Sequence, residues 1–247
     1  MDKSTLLGIL LGFGALFLGQ VWEGGSLYSL LSFPAFLIVV GGTIGAVLIQ
    51  TPLVVAKRAL GQLVWMIKAP LPPLDEGIEK ILHWSNISRH DGLLGLENQI
   101  MDEPDDFVRK GLTLLVDGAE AEQIRATMDI DMVMQRELQL DASKTYEAMG
   151  GYSPTIGIIG AVLGLIEAMN YLSEPERLGV GIATAFVATI YGVGFANFIY
   201  LPIANKIRYH IYNQANYQEL MVEGLVAVAH GENPRNIEMR LRAFTQQ

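Results

Sequence analysis

One carboxylate sits where few are tolerated. Glu167 directly follows residues 148–166, a run without Asp, Glu, Lys or Arg. An acid inside a membrane span points to ion or proton handling. Counted from residue 153 it lies 14 steps on, about 21 Å along a helix. That is toward the far end of a span, where water reaches it, so an interfacial acid is the plainer reading. Thr155, Thr184 and Thr189 are hydroxyls within uncharged runs, and a bond to the preceding turn's carbonyl is their ordinary use. Elsewhere the chemistry is thin. With no cysteine there is no disulfide, thiolate nucleophile or zinc-thiolate site. His83, His90, His210 and His230 fall in no metal-ligand spacing, and no G-x-x-x-x-G-K-[ST] phosphate loop is present. The glycines of 150–164 open an apolar helix without a preceding strand, so they are no nucleotide fingerprint. A net charge of −9 argues against nucleic acid. The expectation is a protein that is not an enzyme, with no cofactor and no metal.

The elements that position these residues follow from charge. Residues 4–22, 24–56, 148–166 and 178–205 carry no charged side chain; together they are 99 of the 247 residues and leave an ordinary soluble density in the rest. About 20 apolar residues cross a bilayer core, and backbone in lipid must bond to itself. Four transmembrane helices are therefore predicted near 4–22, 28–50, 153–172 and 179–204. The first is read as a span rather than a cleaved leader, because Leu18-Gly19-Gln20 is a weak cleavage site. Segment 51–147 holds ten Lys or Arg and 206–247 holds five, while the connections 23–27 and 173–178 hold only Arg177. The bias places both termini and the long segment in the cytoplasm. The fold class is thus an all-α integral membrane protein. Residues 1–50 form two spans, 51–147 a helical cytoplasmic domain, 148–204 two more spans, and 205–247 a cytoplasmic tail.

Within 51–147 the prolines at Pro70 and Pro73 break the helix leaving the membrane. Asp75–Glu97 reads as an amphipathic helix with Ile78, Ile81, Leu82 and Ile87 on one side. Pro104 breaks the chain again, and Phe107–Leu115 is a further helix. Glu120–Tyr146 is a long charged helix with Ile124, Met128, Met132 and Leu138 for packing. Small residues recur at helical spacing in all four spans: Gly8, Gly12, Ala15 and Gly19; Gly41, Gly42, Gly45 and Ala46; Gly157, Ala161, Gly164 and Ala168; Gly181, Ala185, Ala188, Gly192 and Ala196. Such stripes let helices approach closely. Those of the third and fourth spans serve either packing within the chain or a separate helix. Pro154 falls near the start of the third span, where proline is tolerated. Pro202 falls near the end of the fourth, where it kinks the helix or marks its end.

These motifs together carry a resemblance. Pro154-Thr-Ile-Gly-Ile-Ile-Gly-Ala-Val-Leu-Gly-Leu165 resembles the third membrane helix of flagellar stator A subunits, the MotA/PomA family. Gly41-Gly42-Thr43, Ala188-Thr189-Ile190-Tyr191-Gly192, Leu201-Pro202-Ile203-Ala204 and the tail from Gly224 to Pro234 are similar to its other landmarks. The resemblance covers essentially the whole chain. It implies a ring of A subunits, a homopentamer, around a dimer of a MotB-like B subunit that supplies the ion-binding aspartate. Such a complex sits in the bacterial inner membrane and turns proton-motive force into torque on the rotor's switch-complex protein. Position by position, Arg89 and Glu97 match the charged pair that engages the rotor, although two solvated helix charges is the plainer reading without the family. Pro154 and Pro202 match prolines that couple ion passage to conformational change, and Thr189 a threonine facing the ion pathway. Gly157, Gly164, Ala168, Ala185 and Gly192 are expected on a packing or B-subunit face. Ala161 stands where sodium-driven members have threonine; a methyl offers sodium no lone pair, so proton coupling is expected. The alternative is an energiser of the ExbB/TolQ type, whose chains look like three-span proteins with another hairpin order.

Overall fold

The computed structural model describes residues 3–67 and 73–246, and these are helical without a strand. Helix α1 is Lys3–Trp22. The second span is a succession of pieces rather than the single helix expected over 28–50. A 3-10 turn, Leu27–Leu30, is followed by α2, Phe33–Phe36, a π turn, Leu37–Gly41, and α3, Gly42–Gln50. The interruption has a local cause. The Ser32 side chain accepts from the Ala35 N–H and Pro34 sits in the first turn, a combination that starts helices. A further break comes at Thr51, held extended before Pro52 as a residue preceding proline prefers. Helix α4, Leu53–Gln62, follows. The expected break at Pro70 lies outside the described residues.

Helix α5, Leu74–Asp91, ends six residues before the predicted Glu97, because Gly92 takes φ +75°, a backbone state that glycine enters freely. A 3-10 turn leads to α6, Glu97–Asp102. Asp105 caps α7, Asp106–Val116, by accepting from Phe107 and Val108. Helix α8, Ala121–Met169, is unbroken for 49 residues and includes Pro154. The charged helix and the third span are therefore one element, and Pro154 lies inside a helix rather than near its start. The glycines at 150 and 151 precede it. Its ring denies the Gly150 carbonyl a helical donor without ending the helix. Helix α9, Pro175–Phe195, passes through a π turn, Ala196–Tyr200, into α10, Leu201–Ala229. Pro202 does not end the helix. It has no N–H for the Phe198 carbonyl, and the widened turn immediately before it takes up the mismatch. Helix α11, Pro234–Leu241, closes the chain with a last 3-10 turn.

Among the described residues, four helices are long and apolar enough to cross a membrane, within Thr5–Trp22, Leu27–Gln50, Ala121–Met169 and Pro175–Ala229. The chain divides into two compact units. One is Met1–Ala69 with Asp141–Arg208, which holds the apolar spans; the other is Pro70–Leu140 with Tyr209–Gln247. Residues 205–247, expected as a separate tail, thus mostly fold with the helical lobe. Their Leu220, Met221, Leu225, Ile237 and Leu241 are buried in one core with Ile78, Ile81, Trp84, Phe107, Leu112, Ile124 and Met128. Met132 packs at the edge of this core, and Leu138 is exposed. Glycines permit close approach here: a Cβ on Gly111 would stand 2.4 Å from the Leu225 side chain, and one on Gly224 2.5 Å from that of Ile81. Ion pairs Arg125–Glu223 (2.7 Å) and Lys80–Glu103 (2.8 Å) tie α8 to α10 and α5 to the α6–α7 corner.

Burial, reinforced by the charges of Glu103, Asp105 and Glu76, pushes the Tyr217 phenol up to about 12. The unfolded chain ionises from about pH 10, so the lobe's stability falls as pH climbs from about 10 toward 12. Thermal melts of Tyr217→Phe between about pH 9 and 11.5 are expected to show a shallower alkaline decline than the unsubstituted chain.

Candidate functional site

The seam between α8 and α9 has almost no side chain in it. A Cβ on Gly157 would stand 2.9 Å from the Ala188 carbonyl oxygen and 3.0 Å from the Gly192 Cα. One on Gly192 would stand 2.7 Å from the Ser153 carbonyl oxygen, and one on Gly164 3.0 Å from the Ala185 nitrogen. Gly181 and Ala168 meet in the same way further along. Gly157, Gly164, Ala168, Ala185 and Gly192 are therefore all brought together, facing one another within the chain. They form a backbone-to-backbone contact of the kind small residues allow in lipid.

The seam has two flanks. One is filled by the second span: Gly160 meets Ile38, Gly42 meets Ile156, and Ala35 and Val39 cluster with Val187 and Ala188. Successive helix residues turn by about 100°, which places Pro154 and Ala161 of α8, and Thr189 of α9, on the other flank. There Ile158, Leu165, Ile182 and Val193 are exposed while the smaller Ala161 and Thr189 are half-buried, so side-chain size gives this flank a shallow groove. The Thr189 hydroxyl donates to the Ala185 carbonyl at 3.4 Å, leaving its oxygen lone pairs as acceptors. Pro202 is elsewhere: with Thr5, Asn197, Phe198 and Lys206 it lines a cavity of about 360 Å³ beside α1. Three of the four residues assigned to the ion pathway thus share one flank.

Glu167 is exposed, with Asn170 donating to it at 3.4 Å. It lines a pocket of about 600 Å³ with Pro34, Tyr171, Glu176, Arg177 and Thr184. Arg177 is paired to Glu174 and lies 5.1 Å from the Tyr171 ring centre. Thr155 donates to the Tyr152 carbonyl.

Two positioning contacts are not evident from spacing. The Tyr191 hydroxyl donates to the Leu30 carbonyl at 2.6 Å and accepts from the Ser32 N–H at 3.3 Å. It thereby satisfies the backbone groups freed where the second span breaks. The sequence signals were an aromatic hydroxyl deep in a span, which needs a partner, and a Ser-Phe-Pro step. The other contact is in the helical lobe. Arg89 lies in the last turn of α5 and Glu97 begins α6; both are exposed, and neither joins an ion pair among the described residues. The corner that presents them is fixed by Glu103. Its carboxylate is buried, accepts from Lys80 at 2.8 Å and 3.1 Å and from the Asp105 N–H, while Arg109 donates to its carbonyl. Among the described residues no His, Asp and Glu cluster is suited to a metal.

Membrane-length helices with a glycine seam and a groove beside it, in a chain that also carries a helical lobe with an exposed charge pair, define a helical membrane protein. The model of the MotA/TolQ/ExbB proton channel family matches residues 99–219, and that of the motility protein A N-terminal region matches residues 6–79. Motility protein A of Bacillus subtilis is 35% identical over 99% of this chain and 91% of its own length. Chemotaxis protein PomA of Vibrio alginolyticus is 31% identical over 100% of this chain and 96% of its own. Among solved structures, C. jejuni MotAB superposes with a TM-score of 0.94 at 30% identity, covering 99% of this chain and 96% of that one. The flagellar MotAB stator complex from Bacillus subtilis gives 0.88 at 35%, covering 97% and 94%. The chain belongs to the MotA/PomA family of flagellar stator A subunits.

Seam and groove separate by mutation. Gly192→Val puts methyls into the Ser153 backbone, and overpacking of this kind costs about 1–3 kcal/mol; purified protein is expected to melt earlier. Ala161→Phe meets the open flank, so its melting is expected to stay close to that of the unsubstituted protein while motility is lost. Equal melting of the two variants is the contrary result.

Proposed function

We propose that this chain works with a MotB-like B subunit as the ion-conducting part of a flagellar stator, converting proton-motive force into torque on the rotor switch ring. The observation that carries the reading is the open groove beside the α8–α9 seam. Ala161 keeps its floor shallow enough to seat an apolar helix, and Thr189 offers one polar group at depth. Its hydroxyl proton already goes to the Ala185 carbonyl, so the oxygen suits a partner that donates. A protonated carboxyl donates; a carboxylate does not. A B-subunit aspartate crossing this apolar wall is thus favoured in its neutral form, which is the cheap form in lipid. Ala161 gives no oxygen for sodium, in keeping with a proton as the coupling ion. The similar solved structures are C. jejuni MotAB and the Bacillus subtilis MotAB stator complex, and five copies of this chain would surround a B dimer.

The Lys/Arg bias supports a multi-pass arrangement in the bacterial inner membrane with both termini and the helical lobe in the cytoplasm. There Arg89 and Glu97, in no ion pair among the described residues, are positioned for charges on the rotor. The match to the motility protein A N-terminal region favours this reading over an ExbB/TolQ-type energiser.

Three experiments test it. Arg89→Glu is expected to reduce swimming torque several-fold and to be partly restored by an opposite reversal on the rotor; failure of every rotor reversal to restore it counts against a direct contact. Swimming is expected to stop with a proton uncoupler and to be indifferent to sodium. Thr189→Val, which keeps shape and removes the acceptor, is expected to lower torque while assembly persists. Sodium-dependent swimming would overturn the ion assignment.

A further inference from the structure

A second cavity, of about 510 Å³, lies on the other side of the fourth span. Its walls are Phe13 and Phe17 of α1, Leu31 at the entry of the second span, and Ile190, Gly194 and Phe198 of the fourth. It contains no charged lining residue, and the Tyr191 hydroxyl at its edge is already engaged with Leu30 and Ser32. Gln20 supplies an amide at one end, and among the described residues that amide has no hydrogen-bond partner.

The slot runs along the spans. From Gln20 to Phe13 is about 10 Å of helix, and from Ile190 to Phe198 about 12 Å. A leaflet's hydrocarbon is about 15 Å deep, so the slot reaches from the interfacial end of the spans well into it. The surrounding side chains Leu16, Phe17, Leu27 and Ile190 are about half exposed. At this depth the medium they face is lipid.

From these features we infer that the slot is a binding site for a single acyl chain of a membrane diacyl lipid. The chain lies against the aromatic walls, and the ester carbonyl above it accepts from the Gln20 amide. With no charge in the lining, the site reads the acyl-ester region and not the head group. Because Phe198 belongs to the π turn, the bound chain packs directly on the irregular part of the fourth span.

Gly194 makes the test clean. A Cβ there meets nothing within 4 Å, so side chains added at this position enter the slot without a clash. The full chain, in the assembly in which it purifies, is placed in phosphatidylethanolamine vesicles. These contain phosphatidylglycerol carrying a diazirine midway along one acyl chain, and labelled residues are mapped by mass spectrometry after illumination. Adducts are expected to concentrate on Phe17, Ile190 and Phe198. They should fall at least tenfold in Gly194→Leu, with labelling of the exposed Leu7 and Leu11 unchanged. Gly194→Ala, which leaves room, is expected to retain them, and Gln20→Leu to lower them a few-fold. Moving the diazirine to phosphatidylethanolamine is expected to give the same map. Slot labelling no higher than at Leu7 and Leu11, or insensitive to Gly194→Leu, overturns the site. So does an unlabelled slot accompanied by disulfide linkage between copies bearing Leu31→Cys, which would assign the slot to a neighbouring subunit.

Discussion

Where Gly157 passes Gly192, two helix backbones meet with nothing between them. The distances to a hypothetical Cβ, 2.7 to 3.0 Å, leave no space for even a methyl without displacement. In lipid there is no hydrophobic drive to bring apolar helices together, so such close packing carries the association. The remaining architecture of the spans is arranged around this contact. The second span fills one flank through Ile38, which meets Gly160, and Gly42, which meets Ile156. The other flank stays open because Ala161 and Thr189 are the residues there. Tyr191, one residue from the seam, closes the backbone of the broken second span. A larger residue at Gly192 would disturb all three relationships together.

The same economy appears in the helical lobe with different chemistry. Its core is ordinary aliphatic packing, yet the corner presenting Arg89 and Glu97 rests on a buried carboxylate. Glu103 satisfies the Asp105 N–H and the Lys80 ammonium, so removing it would leave polar groups stranded, a larger cost than the bond itself. The exposed pair is thereby held on a firm base while remaining available. The charges available to a partner are thus distinct from the charges that hold the shape.

Much of this was legible in the sequence, and the parts that were not have physical reasons. Uncharged runs located the spans because charge is costly in lipid. The stripe of Gly157, Gly164, Ala185 and Gly192 was visible as spacing. Its direction was not, since a small face looks the same whether it meets its own hairpin or another chain; only the contacts to Ala188 and Ser153 decide. The end of α5 was overshot because Leu93, Leu94 and Leu96 continue an apolar pattern past Gly92, whose left-handed backbone stops the helix. The continuity of α8 was missed because proline is expected at boundaries. Residues 205–247 read as a tail because Leu220–Val228 is apolar at every position but Glu223 and Gly224, which hides the periodicity that would have marked it as core. The Tyr191 clamp needed the break at Ser32 to be seen first.

The π turns in the second and fourth spans have a consequence for how this chain can vary. Each holds one residue more than the α-helix around it would, which acts as a phase shift. Above the turn in the fourth span, Gly181, Ala185, Ala188 and Gly192 face α8; below it, Ala204 and Ile207 are the buried positions. Removing one residue from 196–200 would restore a regular helix and rotate Leu201–Arg208 by about 100° relative to that seam. Lys206 would leave the cavity it shares with Thr5, and Arg208 would leave Glu147. A single-residue deletion there, in a segment with no loop, would therefore change the face that every residue after it presents. Length in these five residues is as much a part of the sequence's meaning as identity.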